Sequence, residues 1–503
     1  MSFEFSTAKN GAETCSYDGK FLHSKYNPQN EGEKFVANLA ADFSPSCIII
    51  IEPALSYCVP FLRNRFKDAS LYAIRCTRDF SKTDAFWDKV FYFDSDKDKL
   101  SNDLFYSLGE ETLFSAAFFE WTPSRGVFTE ETAEIWQAIK SAVLKARDVL
   151  GTRSHFAKRW FKNSFIFAAN IAKTEQLSVG DSPVIIAASG RSLETSLPYL
   201  QAQRNKFFLI AVSSAYSALL RHGIIPDLVI STDGGYWAKR HIAFPASDKM
   251  LKEANARPLF AFSSEAAVPR KILETQRILP LCYDDGSSRI FFQSAGISFM
   301  NARRNGTVSG TAAEFALTIT TGPVFFCGLD QAPAKGFQHT QPNALDIDAE
   351  TTFNRIKPKE SKFAMSQFSS AGSLEIYRNW FITRSEYFSA RLFRLSDNFR
   401  FSFGLGKIRD INWQDFSSMI KSYQQKQTIG FIKKSSLQEK SARIKKLFEI
   451  LEASFEKPAF LNDLFPTDFL MLKREKSEEK ALQLKQVLEE KCRLLEKELK
   501  DLI

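Results

Sequence analysis

Short apolar runs separated by small or polar residues recur through the middle of the chain. Val184–Ala188, Phe207–Val212 and Asp227–Ser231 each have the length and composition of a buried strand. Segments of helical character follow the first two runs. Strands that alternate with helices predict a parallel sheet, which we expect to occupy roughly residues 179–345.

The residues that follow each run are small, hydroxylated or acidic. The three segments are Ser189-Gly190-Arg191-Ser192, Ser213-Ser214 and Thr232-Asp233-Gly234-Gly235. In a turn between a strand and a helix, the backbone N–H groups and the helix N-terminus point at one place, which favours an anion. Because the carboxyl ends of parallel strands share one edge of the sheet, these segments predict a ligand crevice there.

A second group of segments fits the same crevice. Gly306–Ala312 opens a helical segment that runs to Thr320, and Pro323–Cys327 then has the character of another buried strand. Gly328-Leu329-Asp330 closes that strand, and His339 comes nine residues later. Ser, Thr and Gly are also the ordinary residues of turns and helix caps, so these positions alone fit a purely structural role as well.

The two flanks have different patterns. Strand-like runs at Ile48–Ile51, Leu71–Ile74 and Val90–Tyr92 predict a small α/β domain over residues 1–125. Apolar positions then recur at helical spacing, and they predict a connecting helix from about residue 130 to 170: Ile135, Ile139, Val143, Ala146 and Leu150. The central domain, with this connector, is assigned to residues 126–410.

Beyond Trp413 the pattern is helical, so residues 411–503 are predicted to form an all-α region. An apolar stripe among balanced charges runs along its last segment and consists of Leu484, Leu488, Leu495 and Leu502. The stripe fits a docked helical hairpin, a contact that makes a homo-oligomer, or a solvated terminal helix, and the pattern leaves all three open.

Composition narrows the class of protein. The 503 residues are 44% hydrophobic and 25% charged, which is typical of a globular chain with two or three domains. The net charge of +9 is spread among acidic residues, so nucleic-acid binding is not expected. Apolar runs are far shorter than the roughly 20 residues of a membrane span, and no signal peptide is visible. Seven scattered cysteines predict reduced thiols in a cytoplasmic protein.

The order of these segments resembles that of a known family. The segments that carry the resemblance are Leu22–Pro28, the strand followed by Ser189–Leu193, His222–Asp227 leading to Asp233, Gly306–Gly310, and Gly328–Asp330 with His339. In this order the chain is similar to the motility-associated factor (Maf) glycosyltransferases. Their central domain is similar to bacterial sialyltransferases and, more remotely, to archaeal pterin diphosphokinases. The resemblance covers most of residues 20–400.

The resemblance implies a fold and a reaction. The fold would be α/β, with a Rossmann-like, sialyltransferase-like central parallel sheet. The reaction would transfer a nonulosonic acid, such as pseudaminic or legionaminic acid, from its CMP conjugate to Ser or Thr hydroxyls of flagellin, as flagellar assembly and motility require. Sialyltransferase similarity also implies transfer without a metal ion or other cofactor. The chain departs from the family at Arg191, where a proline is usual.

Such a transfer needs donors for the leaving phosphate. Around the crevice, the candidate nucleotide-sugar-binding residues are Ser189, Gly190, Arg191, Ser192, Ser213, Ser214, Thr307, Ser309, Gly310 and Gly328. Arg191 either adds a cation for the diester or points to solvent.

The transfer also needs a base for the acceptor hydroxyl. His339 is the candidate, because an imidazole titrates near neutrality. Asp233 accepts ribose or sugar hydroxyls, shares a cation, or forms an Asx turn. Asp330 either binds the pyrimidine side of the donor or caps a turn. These three are the candidate catalytic residues.

Two other functions remain open. A pterin diphosphokinase would share the central domain but would need ATP and Mg²⁺, and neither a lysine-bearing phosphate loop nor an acidic metal pair lies near residues 189–193. A non-enzymatic assembly factor could use the same fold and its helical tail to hold flagellin. In the N-terminal domain, Ile48–Ala54 stands where a glycine-rich turn would be expected, which argues against a second nucleotide site.

Overall fold

The computed structural model describes residues 3–40, 43–246, 258–283, 286–333, 336, 338–345, 353–361, 372–395, 403–421, 423, 428–433, 437–452 and 458–502. They form two compact units. One comprises Met1–Ala157 and Leu461–Glu498, and the other comprises Lys158–Phe460 and Leu499–Ile503. The sequence predicts three regions, whereas the structure divides the C-terminal region between these two units.

The N-terminal unit contains two sheets. An antiparallel sheet consists of β1 (Phe3–Thr7), β2 (Glu13–Tyr17) and β3 (Lys20–Phe21). A parallel sheet consists of β4 (Cys47–Ile51), β5 (Ser70–Arg75), β6 (Lys89–Tyr92) and β7 (Ala116–Glu120), in the order β6-β5-β4-β7. The three predicted strands are confirmed as β4, β5 and β6. The run that forms β7 follows an apolar helical segment without a break in pattern, so hydrophobicity alone does not separate the two.

Helices cover both faces of the parallel sheet. They are α1 (Pro28–Ala37), α2 (Val59–Arg65), α3 (Lys97–Phe114), α4 (Thr122–Arg125) and α5 (Thr129–Asn170). The connecting helix expected from the apolar spacing is α5, and Ile135, Ile139, Ala146 and Leu150 are buried along it.

A buried ion pair fills the carboxyl end of this sheet. Arg75 Nη1 lies 3.1 Å from Glu52 Oε1, and both side chains are fully buried. The same guanidinium donates to Asp84 Oδ1 at 3.1 Å, to the Ala54 carbonyl at 2.7 Å and to Thr83 Oγ1 at 2.6 Å. Burial raises the pKa of Glu52, although Arg75 acts in the opposite direction. Protein side chains therefore occupy the space in which a phosphate turn would lie after β4.

The second unit is built around a nine-stranded sheet in which every pair is parallel. Its strands are β9 (Val184–Ala187), β10 (Phe208–Val212), β11 (Leu228–Ser231), β12 (Leu259–Ser263), β13 (Ile278–Tyr283), β14 (Met300–Ala302), β15 (Val324–Cys327), β16 (Leu392–Leu395) and β17 (Arg409–Ile411). The predicted α/β class with a Rossmann-like central parallel sheet is thus confirmed. Residues of β9 and β10 are all buried, as expected for strands covered on both faces.

The strand order reverses next to β9. From β9 the chain adds β10 to β14 on one side, and β15, β16 and β17 then follow on the other side. Ligands of open parallel sheets bind outside the carboxyl ends at such a reversal. The reversal lies between the ends of β9 and β15, where Ser189–Ser192 and Gly328–Asp330 begin.

Helices and short 3-10 segments connect the remaining strands. The helices are α6 (Leu193–Ala202), α7 (Tyr216–Arg221), α8 (Tyr236–Ala246), α9 (Arg270–Thr275), α10 (Ser287–Ser294), α11 (Val308–Ile319), α12 (Gly372–Thr383), α13 (Ser385–Phe388), α14 (Trp413–Met419), α15 (Lys440–Glu452), α16 (Pro458–Leu464), α17 (Pro466–Arg474) and α18 (Glu478–Leu502).

The described residues of the C-terminal region include a strand that the predicted all-α pattern lacks. Strand β18 (Phe431–Lys433) pairs antiparallel with β8 (Glu175–Leu177). A strand of three residues is too short to show an alternating pattern in the sequence. It forms because of its pairing with β8, which lies far away along the chain.

The predicted apolar stripe lies on α18. Leu488, Cys492, Leu495 and Leu499 are buried along one face, whereas Leu502 is exposed. Other described residues of the same chain therefore bury the middle of this stripe.

The buried ion pair at β4 and β5 gives a stability prediction. Replacing Arg75 with Met leaves the Glu52 carboxylate buried without its partner, which typically costs about 3–5 kcal/mol. We expect Arg75→Met to lower the free energy of local unfolding by that order, measured by amide hydrogen exchange in β4 and β5. The matched control is Arg63→Met. Arg63 pairs with Asp88 at 2.8 Å with both side chains partly exposed, so its loss should cost about 1 kcal/mol or less. Equal effects of the two substitutions would contradict this account.

Candidate functional site

The turn after β9 is held by a carboxylate from the end of β15. The Ser192 amide donates to Asp330 Oδ2 at 2.9 Å, and the Ser192 hydroxyl donates to Asp330 Oδ1. The Gly190 amide donates to the Gly328 carbonyl at 2.8 Å. Two amides that the sequence assigned to a ligand phosphate therefore already have acceptors inside the protein. Of the two roles open for Asp330, the structure shows the turn cap.

Asp330 is a buried acid, with 7% of its surface exposed. Burial raises its pKa above the ordinary range, because an ionised carboxylate loses hydration there, while the bonds from Ser192 and the charge of Arg394 act in the opposite direction. Arg394 is itself buried and donates to the Leu329 carbonyl at 3.2 Å. The polar groups of this corner thus satisfy one another.

Two glycines make this close packing possible. A Cβ on Gly190 would lie 2.4 Å from the Gly328 carbonyl oxygen and 2.7 Å from Asp330 Oδ2. Gly328 has a φ of +73°, and a Cβ there would lie 2.2 Å from the Ala188 carbonyl oxygen. Both positions require glycine so that the ends of β9 and β15 can touch.

The loop that carries His339 is fastened to the same turn. His339 forms an antiparallel bridge with Gly190. The Thr340 amide donates to the Ser189 carbonyl at 2.9 Å, and its hydroxyl donates to the Gly190 carbonyl at 2.7 Å. His339 is half-buried. The structure therefore places the His339 backbone beside the turn, and its proposed role as the base stays a prediction. Thr340, which holds the loop to the turn, carries no motif that the sequence could reveal.

The end of β10 joins this group. Ser214 Oγ donates to Ser189 Oγ at 2.8 Å, and Asn343 Nδ2 donates to the Ser214 carbonyl at 3.2 Å. Ser213 is buried. The ends of β9, β10 and β15 and the loop at 339–343 thus meet in one place.

Arg191, the departure from the family pattern, points toward the same loop. A Cβ added to Gly336 would lie 3.2 Å from Arg191 Nη1. Gly336 has a φ of +88°, in the region that favours glycine. The Arg191 guanidinium therefore lies near Gly336, and both roles considered for it stay predictions.

Asp233 lies at the end of β11 and is exposed. Its Oδ1 accepts the Gly235 amide at 2.8 Å, which is an Asx turn. A Cβ on Gly234 would lie 2.4 Å from Trp160 Cδ1. The Trp160 indole of α5 therefore occupies the space beside Gly234.

The start of α11 is capped within itself. Thr307 Oγ1 accepts the Gly310 amide at 2.9 Å, which is the ordinary N-cap bond. A Cβ on Gly310 would lie 3.1 Å from the Trp380 ring, so Gly310 serves helix packing. Ser309 is half-buried.

A group of polar side chains lies near the ends of β11 to β14, and the sequence did not predict it. Asn163 Nδ2 donates to the Glu265 carbonyl at 2.8 Å, and Arg304 Nη1 lies 2.6 Å from Glu265 Oε2. The Arg304 guanidinium carbon lies 4.6 Å from the centre of the Tyr283 ring, and burial raises the pKa of Tyr283 to about 12. These residues are far apart in sequence and carry no local motif, so only the fold reveals them.

The described ranges lack two further features. They contain no group of three or more His, Cys, Asp or Glu side chains placed to hold a metal ion. Among those same ranges, no helix is long and apolar enough to cross a bilayer.

Comparison with known proteins gives three relationships. One is a relative in Treponema pallidum (strain Nichols), an uncharacterized protein, 29% identical over 326 residues that cover 64% of this chain and 68% of the relative. A second uncharacterized protein of that strain is 22% identical over 359 residues, which cover 66% of this chain and 59% of that relative. A solved Maf glycosyltransferase from Magnetospirillum magneticum AMB-1 matches over 99% of this chain and 91% of its own, with a TM-score of 0.44 and 11% identity.

A family model matches residues 158–336 of the chain. Its description is 6-hydroxymethylpterin diphosphokinase MptE-like. The match contains the turn after β9, the Asx turn after β11, the start of α11 and Asp330. The sequence resemblance to Maf glycosyltransferases includes a central domain that is similar to archaeal pterin diphosphokinases. The match over residues 158–336 confirms that similarity for the central domain of this chain. Residues 158–336 of this chain are thus similar to that family.

Proposed function

We propose that the chain is a glycosyltransferase that moves a nonulosonic acid from a CMP-activated donor to Ser or Thr hydroxyls of flagellin. The observation that carries the proposal is the meeting of the ends of β9, β10 and β15 with the loop of His339 at the strand-order reversal. That is where an open parallel sheet binds nucleotides. The sugar and the acceptor enter through the sequence resemblance to Maf proteins.

In this proposal, side chains hold the donor phosphate. The amides of Gly190 and Ser192 already have acceptors in the protein, so we assign the donor phosphate to side chains at the same turn. These are the Arg191 guanidinium and the mutually hydrogen-bonded hydroxyls of Ser189 and Ser214. A guanidinium matches a phosphate diester in charge and in geometry. Arg191 would thus attract the donor phosphate in place of the backbone N–H groups that bind phosphate in other strand-to-helix turns.

His339 is the proposed general base. A neutral imidazole accepts the proton of the acceptor hydroxyl as the oxygen attacks the anomeric carbon, and the bond to the CMP phosphate breaks. The bridge to Gly190 keeps the histidine backbone beside the turn that would hold the phosphate. Transfer by this route uses no metal ion.

The two aspartates have different proposed roles. Asp330 is a positioning residue, because both of its oxygens bind Ser192 and it holds the turn rather than the substrate. Asp233 is exposed at the edge of the sheet, and its second oxygen would accept a hydroxyl of the donor.

A pterin diphosphokinase is the second candidate, favoured by the family match over residues 158–336. It would transfer diphosphate from ATP to a pterin hydroxyl. Calorimetry separates the two, since saturable binding of CMP without metal supports the glycosyltransferase and binding of ATP only with Mg²⁺ supports the kinase. Binding of neither nucleotide supports an assembly factor.

The acceptor is tested by the intact mass of flagellin from cells with and without this protein. The proposal predicts that flagellin loses mass in multiples of one sugar unit when the protein is absent. An unchanged mass would overturn the assignment of flagellin as acceptor.

Substitution of His339 tests the base. We expect His339→Ala to lower the transfer rate by about 10²- to 10⁴-fold and to leave the dissociation constant of CMP unchanged. The wild-type rate should fall as pH drops through the pKa of the imidazole, because a protonated ring cannot accept a proton, and the variant should lack that fall. His222→Ala, at an exposed residue after α7, is the control. A variant with the wild-type rate and pH profile would exclude His339 as the base.

Substitution of Arg191 tests the phosphate contact. Loss of a hydrogen bond between charged groups predicts that Arg191→Ala weakens CMP binding by about 10- to 100-fold. Arg191→Lys should fall in between, because an ammonium keeps the charge but not the two-pronged geometry. Arg221→Ala, at an exposed arginine of α7, should bind CMP as the wild type does. Calorimetry measures all four proteins, and equal affinities would remove Arg191 from the site.

A further inference from the structure

Strand β7 forms one edge of the N-terminal parallel sheet. Among the described residues it pairs with β4 alone. The Ser115 carbonyl accepts the Ser46 amide at 3.0 Å, and the Trp121 amide donates to the Ile51 carbonyl at 3.1 Å. Backbone groups of a parallel strand alternate between its two sides, so the odd-numbered residues face β4. The N–H and C=O groups of Phe118 and Glu120 therefore point away from the sheet.

A cavity of about 1000 Å³ lies along this outward side. Its lining includes Phe118, Phe119 and Glu120 of β7. Residues of α1, α4 and the first turns of α5 complete the wall, so helices flank the edge instead of leaving it flat and open. Pairing at this edge is thus restricted to a segment that fits between the flanking helices.

Two aromatic groups lie on opposite faces of the sheet plane in this cavity. Phe118 and Trp136 pack with the core between the sheet and α5. Phe119, Phe35 and Trp121 pack with the core on the side of α1 and α2. Both groups also line the cavity. The side chains of a further strand beside β7 would also alternate between the two faces of the sheet. Each aromatic group could therefore contact one set of these side chains.

We propose that this cavity binds an extended segment of a partner polypeptide, which adds a fifth strand beside β7. The backbone of the segment would pair with the outward groups of Phe118 and Glu120, and its alternate side chains would contact the two aromatic groups. The site is separate from the crevice at β9, and the inference does not depend on the reaction proposed there.

Charges at the mouth favour an acidic residue in the bound segment. Glu120 accepts from Arg125 Nη1 at 3.1 Å and from Trp136 Nε1 at 2.9 Å, so its charge is compensated. Glu31 accepts the Ser24 amide at 2.8 Å. Lys34 is exposed, lines the cavity and has no ion pair within the described ranges. Lys34 is the cation that would attract a carboxylate of the partner.

The test uses an octapeptide of alternating Val and Thr with Glu at each end. We expect it to bind to the full chain at up to millimolar concentration and to change the intrinsic tryptophan fluorescence, because Trp121 and Trp136 both line the cavity. The same octapeptide with every backbone nitrogen methylated has no N–H to donate, so it should not bind. Equal binding of the two peptides, or no binding of either, would overturn the proposal.

Two substitutions at one residue isolate the backbone group on the protein side. Phe118→Ala removes the ring but keeps the outward N–H, whereas Phe118→Pro removes both. The outward N–H takes no part in the pairing with β4, so proline costs the sheet no hydrogen bond, and proline is tolerated in edge strands. We expect the Pro variant to bind about tenfold more weakly than the Ala variant, as the loss of one hydrogen bond predicts.

Equal affinity of the Ala and Pro variants would show that the peptide does not pair with β7. If the Pro variant does not fold, as judged by circular dichroism, the methylated peptide against the wild-type chain still decides the question. Formation of a dimer that excludes the octapeptide would assign the cavity to a second copy of the chain and overturn the proposal. None of these measurements uses the transfer reaction, so their failure is distinguishable from failure of the proposed function.

Discussion

The candidate site depends on one buried carboxylate. Asp330 leaves the end of β15 and takes both the amide and the hydroxyl of Ser192 in the turn after β9. An ionised carboxylate is costly to bury unless hydrogen bonds compensate it, and here two bonds and the nearby charge of Arg394 do so. The turn therefore has a fixed conformation before any substrate arrives. The loop of His339 forms backbone hydrogen bonds with that same turn. The contact between Asp330 and Ser192 therefore also helps to position this loop.

The two parallel sheets of the chain use their carboxyl ends differently. In the N-terminal sheet, Arg75 and Glu52 fill the end of β4 with a protein ion pair. In the central sheet, the Asp330 carboxylate fixes the turn that contains Ser189 and Arg191, and Ser214 bonds to this turn. The proposed phosphate site thus belongs to the central sheet, and the proposed peptide site lies at the edge strand β7 of the other sheet.

Much of this organisation could be predicted from the sequence. Buried strands such as β9 and β10 are continuous apolar runs, and the small residues after them mark the carboxyl edge, so the crevice and the approach of His339 follow from pattern and order. The hydrogen-bond partners could not be predicted. Whether the amide of Ser192 faces a ligand or Asp330, and whether Gly234 faces a ligand or Trp160, depends on contacts between residues far apart in the chain. Sequence periodicity contains no information on such pairs.

Amide hydrogen exchange of the full chain with and without CMP tests whether a CMP-sugar site lies at the strand-order reversal. We expect CMP to slow exchange in two segments together, the turn at 189–192 and the loop at 339–343, and to leave exchange in β4 and β5 unchanged. Protection in only one of these segments, protection elsewhere, or protection that needs ATP and Mg²⁺ would contradict the assignment of a CMP-sugar site at the strand-order reversal.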